Sequence, residues 1–294
     1  MNSAFRIAVF SAIKKSRDFE QKRQRHVPGL LRLLKYAYDA AQPRGPVLTS
    51  CDSLRMYVDG QDDVIAGEIL AYGAYEKQEI EFFKKQLRPG MTVIDIGANM
   101  GYYSLVAARV VGMQGHVYAF EPDPQNFSLL ARNREENKLW NIEVSPFAVS
   151  NKHEKRTFFR DRHNSGGHTF CQKNLPTFEA GSLEIEAITL DYFLRDKGNP
   201  RVDWIKMDVQ GAEGLVIDGA IETLKQPGIH LLMEFWPEGL MRLKSDPRVV
   251  LEKLKDLGFS IFTLTASGLD GNNSIDRILE IASQKTVINL FFEK

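Results

Sequence analysis

Val93-Ile94-Asp95-Ile96-Gly97-Ala98-Asn99-Met100-Gly101 confines this chain to few folds. A short apolar run carries an acid near its end and breaks at a Gly-x-x-x-Gly turn. It then passes into a helical pattern from Tyr103 to Arg109. About twenty residues on, Val117-Tyr118-Ala119-Phe120-Glu121-Pro122 makes a second apolar run that ends in an acid. The pair reads as a βαβ unit whose first turn admits a ligand to the backbone and whose second strand holds a ribose. Glycine lacks a Cβ, so the turn can be tight and its N–H groups can meet a ligand. A carboxylate at the next strand tip can accept both ribose hydroxyls.

The same alternation continues downstream. Strands are predicted near 92–96, 116–120, 142–147, 203–208, 229–235, 259–264 and 286–292, with helices near 102–111, 124–137, 213–223 and 247–257. This predicts an α/β fold with a mostly parallel sheet covered on both faces. Ser267–Arg277 is rich in Gly, Asn and Asp and reads as a loop, so the last two strands should form an antiparallel hairpin. Upstream, Ile80, Phe83 and Leu87 mark a helix over Glu76–Gln86. Val47–Asp59 reads as a strand pair with Asp59-Gly60 as its turn signal. Residues 151–190 break the alternation: Thr157–Phe159 and Leu183–Ile188 read as extra strands around a long loop, Arg160–Gly181. A loop of that length inside a compact domain is usually functional or disordered, and here it is assigned to the substrate rim. The expected organisation is a basic helical extension over 1–45, a lead-in over 46–90, and the nucleotide-binding domain over 91–294 with the rim loop near 160–181.

In residues 1–42, Lys14, Lys15, Arg17, Lys22, Arg23, Arg25, Arg32 and Lys35 outnumber Asp18, Glu20 and Asp39. Leu30, Leu31, Leu33, Leu34, Ala37 and Tyr38 form an apolar stripe. Two readings follow: a helix that docks on a membrane surface or a partner, or one packed on the main domain with a solvated basic face. No apolar run is long enough to span a bilayer, and no signal-peptide cleavage site is evident. The 38 basic and 38 acidic residues cancel, which gives no global attraction to nucleic acid. Cys51 and Cys171 lack metal-ligand spacing and read as free thiols in a reducing, cytoplasmic compartment. The oligomeric state stays open.

Two details bear on the cofactor. Asn99 stands where the dinucleotide fingerprint has its middle glycine, and Asp95 lies just before the turn. A carboxylate there would repel a pyrophosphate and attract an ammonium or sulfonium. At this point the motifs Asp95–Gly101, Phe120-Glu121-Pro122, Ala148-Val149-Ser150 and Ile205-Lys206-Met207-Asp208-Val209-Gln210-Gly211-Ala212-Glu213, with Gly73-Ala74-Tyr75-Glu76 upstream, resemble the FkbM family of methyltransferases. The resemblance spans roughly residues 65–265 and leaves the first 45 outside it. It implies the class I methyltransferase (Rossmann-like) sheet of seven strands with a reversed last strand. It also implies S-adenosyl-L-methionine as cofactor and methyl transfer, usually to a hydroxyl oxygen of a sugar, polyketide or similar natural product.

On that reading Gly97, Ala98, Asn99 and Gly101 wrap the methionine part of the cofactor, and Asp95 meets its ammonium directly or through water. Glu121 holds the ribose; Pro122 and Asp123 shape the turn beside it, with helix capping as the alternative for Asp123. Ala148, with Phe147 and Val149, lies along the adenine. Asn126 is either a cofactor contact or a solvated helix residue. Asp208 faces the sulfonium, orients the acceptor or acts as base, and Glu234 binds substrate at the catalytic end. Glu213 is as well explained by stabilising a helix start. A hydroxyl acceptor needs a base, for which His168, less so His163, and Asp208 are the candidates. Asp208 and Glu234 suggest a divalent cation, but no third ligand is evident, so no metal is assigned. The expected acceptor is a small-molecule or glycan hydroxyl. Methylation of nitrogen or of a protein, an NAD-dependent oxidoreductase and a non-catalytic binding module are the alternatives. Asp208-Val209-Gln210-Gly211 replaces the Asp-Pro-Pro-Tyr type of motif that grips a nucleobase amine, so nucleic acid is not an expected acceptor.

Overall fold

The computed structural model describes residues 3–22, 29–176, 179–271 and 273–294. Arg23 and Arg25 of the basic run lie outside them. The chain opens with α1 (Ser3–Gln21), α2 (Leu30–Ala41), the hairpin β1 (Pro46–Cys51) and β2 (Leu54–Asp59), α3 (Ile65–Tyr72) and α4 (Lys77–Gln86). The central unit is β3 (Thr92–Ile96), α5 (Tyr102–Val111), β4 (His116–Phe120), α6 (Pro124–Glu136) and β5 (Ile142–Ser145). Next come β6 (Ala148–Val149), β7 (Glu154–Asp161), β8 (Glu179–Ile188), α7 (Leu190–Asp196), β9 (Trp204–Met207), α8 (Glu213–Asp218) and α9 (Ile221–Leu224). The chain closes with β10 (His230–Phe235), α10 (Pro237–Arg242), α11 (Pro247–Asp256), β11 (Ser260–Thr265), β12 (Gly268–Asp270), α12 (Ile275–Gln284) and β13 (Ile288–Glu293).

Among the described residues the main sheet runs β12-β11-β13-β10-β9-β3-β4-β5. The pairs from β10 through β9, β3 and β4 to β5 are parallel, and β13 lies antiparallel between β10 and β11. This is the class I methyltransferase order with its last strand reversed. The three-residue β12 extends the sheet beyond the seven strands expected.

Alternate residues of the parallel strands feed two cores. Val93, Trp204 and Leu232 enter one, while Ile94, Ile205, Leu231 and Met233 enter the other. A sheet covered on both faces needs such continuous apolar runs. The first core also takes Phe10, Tyr38 and Ala41 from the N-terminal helices, with Val58 and Phe83. Tyr38 and Gln42 both donate to Asp63 Oδ1, at 2.9 and 2.8 Å. The extension is therefore packed on the domain through part of its surface.

Three local expectations need correction. The β1–β2 hairpin turns at Asp52-Ser53, with φ of 52° and 66°, and not at Asp59-Gly60. Positive φ at both central residues suits a two-residue hairpin loop in a twisted ladder. The predicted helix over 213–223 splits because Gly219 lies against the Ser150 backbone, where a Cβ would overlap the carbonyl oxygen. Finally, β11 and β13 are joined by β12 and α12 and not by a loop alone. Ser274 Oγ caps α12 by accepting the Arg277 N–H at 3.2 Å, and Ile278 and Ala282 are buried one turn apart.

Candidate active site

The cleft opens at the carboxyl ends of β3, β4, β9 and β10, where ligands sit in open α/β sheets. Its volume is about 1210 Å³, open solvent at its mouth included. Gly97, Ala98, Asn99, Glu121, Pro122, Phe147, Ala148, Val149, His168, Asp208 and Glu234, all candidates from the sequence, line it.

The turn after β3 is shaped by close approach. Gly97 has φ +79°, and a Cβ there would overlap the Asp208 carbonyl oxygen. Asn99 adopts φ 52° and donates its backbone N–H to Glu121 Oε2 at 2.7 Å. The other Glu121 oxygen accepts the Asp123 N–H at 2.9 Å. Glu121 is 4% exposed, and burial pushes its carboxyl up to about 8. Each oxygen still has a lone pair for a hydroxyl donor. Asp123 caps α6 through the Gln125 and Asn126 N–H groups and pairs with Arg160 at 2.8 Å. Asn126 is buried and donates to the Ser165 carbonyl at 3.2 Å, so it tethers the rim loop over the cleft.

Two expected cofactor residues lie behind the cleft wall. Asp95 is 1% exposed, accepts the Ser104 hydroxyl at 2.6 Å and sits opposite Lys206 in the β3–β9 register. Strand parity turns it toward the core, so it supports the turn and does not meet an ammonium directly. Gly101 packs α5 against Leu130 of α6, where a Cβ would overlap the leucine side chain.

The far end of the cleft is a charged cluster. Lys206 Nζ lies 3.2 Å from Asp208 Oδ2. The Gln210 amide donates to Asp208 Oδ1 at 2.8 Å and to Glu234 Oε1 at 2.7 Å. Burial works against the Lys206 charge, yet Asp208, Asp95 and Glu76 together hold its pKa above the usual lysine value. Burial, reinforced by Asp208 and Glu76, raises the Glu234 pKa well above its usual value. Glu76 completes the wall and accepts the Tyr103 hydroxyl at 2.8 Å. It has φ 44° and Gln210 has φ 50°, so with Asn99 three non-glycine residues line the cleft in left-handed backbone. Such strain persists where the surroundings over-determine it, often at functional sites. Among the described residues no group of three or more His, Cys, Asp or Glu is placed to hold a metal ion.

His168 also lines the cleft. Its Nδ1 accepts the Asp161 N–H at 3.1 Å and its Nε2 lies 3.9 Å from Asp123 Oδ2. Its ring therefore lies against Asp123, just beyond β4, while the hydroxyl of the next residue, Thr169, donates to the Gln210 carbonyl at 2.9 Å. Burial lowers its pKa, so the ring stays neutral there. His163 faces Asp63 at the surface, outside the cleft lining. Glu213 is fully buried and accepts the Gly211 N–H at 3.0 Å, so it organises the turn before α8. Lys206, Gln210 and Glu76 were present in the motifs but carried no assigned role. Lys206 did leave a signal: a lone lysine inside the apolar run Trp204–Met207 must find carboxylates.

The methyltransferase FkbM domain model matches residues 95–261, more than half of the chain. The chain belongs to the FkbM methyltransferase family. A methyltransferase of Sordaria araneosa, sdnD, is 25% identical over 248 residues, covering 70% of this chain and 92% of that one. A protein-L-isoaspartate O-methyltransferase of Methanothrix thermoacetophila is 38% identical over 58 residues, covering 20% of this chain and 28% of that one. The crystal structure of an FkbM methyltransferase from Methylobacillus flagellatus superposes with a TM-score of 0.42 at 15% identity, covering 77% of this chain and 52% of that one. The chain is thus a methyltransferase by family, and the cleft lies where an open α/β sheet takes its ligand.

Proposed function

We propose that this FkbM enzyme binds S-adenosyl-L-methionine in the cleft and methylates a hydroxyl oxygen of a sugar, glycan or related natural product. The residues present fit that cofactor. Gly97 lines the cleft at a turn too crowded by the Asp208 carbonyl for any side chain, and both Glu121 oxygens keep a lone pair for the ribose. Phe147, Ala148 and Val149 offer an apolar bed for adenine. When bound, the cofactor supplies an electrophilic methyl group with a neutral leaving group.

The observation that carries the oxygen assignment is the Asp208–Gln210–Glu234 bridge. A hydroxyl is a poor nucleophile until its proton is taken, so a base within hydrogen-bond reach is needed. Asp208 faces the cleft at the end of β9 and is our base. Gln210 fixes its carboxylate plane, and Lys206 offsets its charge. Glu234, bridged to Asp208 through Gln210, lines the same end and can orient an acceptor oxygen. The tethered loop from Ser165 to Phe170, with Phe158, covers the site and limits water. Among the described residues the acceptor end offers one cation, Lys206, already engaged by Asp208, so it has little to hold a phosphate-bearing nucleic acid. A reducing cytoplasmic setting is consistent with the free Cys51 and Cys171. No described helix is long and apolar enough to cross a membrane.

The test is calorimetry with S-adenosylmethionine and with NAD, followed by methyl-donor turnover on neutral sugars, glycans, phenols and amines. Cofactor binding with methyl ethers as products supports the reading. Transfer confined to amines, or NAD binding alone, overturns it.

A further inference from the structure

Helix α2 carries four leucines, and none is buried. Only Tyr38 and Ala41 of this helix enter the core. Leu30, Leu31 and Leu34 are half-buried, whereas Leu33 is 64% exposed and Tyr36 is 77% exposed. Arg32 and Lys35 stand exposed among them. On α1, Lys15 and Lys22 are also exposed. The two helices run antiparallel, since Arg6 near the start of α1 donates to the Ala41 and Gln42 carbonyls at the end of α2. The end of α1 therefore lies toward the start of α2, and Lys22 shares that end with the leucines. Asp39 is the exposed acid of α2, and it lies at the opposite end of the helix. The packing that anchors the extension thus uses one part of α2 and leaves Leu33 and Tyr36, flanked by Arg32 and Lys35 and by the half-buried leucines, uncovered.

We propose that this end of the helix pair docks on an anionic lipid surface. Leucine and tyrosine side chains suit the acyl and headgroup boundary, and interspersed lysine and arginine suit acidic headgroups. A second copy of the chain is a poor occupant, because a two-fold contact would set the same basic groups against each other. A nucleic acid would pair with the charges but leave the leucines in water. The helix lies on the membrane and does not cross it, as it is only 12 residues long. The proposal is independent of the methyl acceptor.

The experiment is sedimentation of the full chain with phosphatidylcholine vesicles and with vesicles half phosphatidylglycerol. Two variants are compared: Leu33→Ser with Tyr36→Ser, and Arg32→Glu with Lys35→Glu. All four side chains are exposed, so thermal unfolding should be unchanged. We expect binding to the anionic vesicles, weakened about ten-fold or more in each variant and weakened by added salt in the wild type. Absence of anionic vesicle binding, wild-type binding by both variants, or displacement from vesicles by an RNA homopolymer would each overturn the proposal. So would a dimer, seen by light scattering, that both variants abolish and vesicles do not dissociate.

Discussion

Glu121 should make cofactor binding a proton-releasing event. In the free protein burial holds its carboxyl at about 8, against an ordinary value of 4.5. At pH 7 about nine molecules in ten then carry the proton. Ribose hydroxyls can donate only to acceptor lone pairs, so binding favours the ionised form. The sulfonium favours it too. About 0.9 proton should therefore leave per ligand bound at pH 7. Affinity should rise about ten-fold from pH 7 to pH 9 and flatten beyond. Titration calorimetry with S-adenosylhomocysteine, in buffers of different ionisation enthalpy, measures both quantities. Glu121→Gln removes the titration and separates it from the ligand's own. Its amide also turns a donor toward either the Asn99 or the Asp123 N–H. Losing one charge-assisted hydrogen bond costs about 1.5–3 kcal/mol, so affinity at pH 8 should fall roughly ten- to hundred-fold. A wild-type affinity flat from pH 6 to pH 9, with buffer-independent enthalpy, would refute the assignment of Glu121 to the ribose.

Further outcomes follow from the same geometry. Gly97→Ala meets both the Asp208 carbonyl and a positive φ, so it should abolish cofactor binding and lower the melting temperature; normal binding by calorimetry would show that the turn is looser than described. Asp208→Asn should cut turnover about 10²- to 10⁴-fold with S-adenosylhomocysteine affinity nearly unchanged. His168→Asn should instead raise the cofactor KM and spare kcat at saturating cofactor; the reverse split would restore the histidine as base. Burial also pushes Glu213 up to about 8. The fold therefore retains protons on Glu121 and Glu213 that the unfolded chain releases, and their contribution to stability falls as pH rises from about 4.5 through 8. Glu213→Gln should flatten that fall in calorimetric melts between pH 5 and pH 9, and an unchanged slope would exclude it as a source.

The central βαβ unit was readable to the residue, with β3, α5 and β4 falling at 92–96, 102–111 and 116–120. There the apolar period, the glycines and the terminal acids all agree, and such agreement fixes local structure. Helix α12 escaped because Gly271 and Asn273 give its approach the composition of a loop. Its stripe is also short, with Ile278 and Ala282 as its buried residues. Glu121 and Asp208 could be placed from strand ends alone. Asp95 could not, because its role turns on which side of β3 it faces and on Lys206 standing opposite it in β9, more than a hundred residues away.

The base depended on a longer-range fact still. Imidazole chemistry favoured His168, but the rim loop leaves β7, is tied down by Asn126 and sets that ring beside the tip of β4. How that ring sits relative to Asp208 is set by the fold of the loop over the sheet, and no local pattern encodes it. Backbone strain points to the same end of the cleft. Glu76 and Gln210 hold left-handed conformations that glycine would adopt more cheaply, at a cost of about 1–3 kcal/mol each. Glycine at either position would remove a side chain that touches Tyr103 in one case and both Asp208 and Glu234 in the other. The strain is tolerated because those contacts assemble the charged end of the cleft. That is why the reading of the charged end as the acceptor site rests on the residues around Lys206, and not on the glycine turn alone.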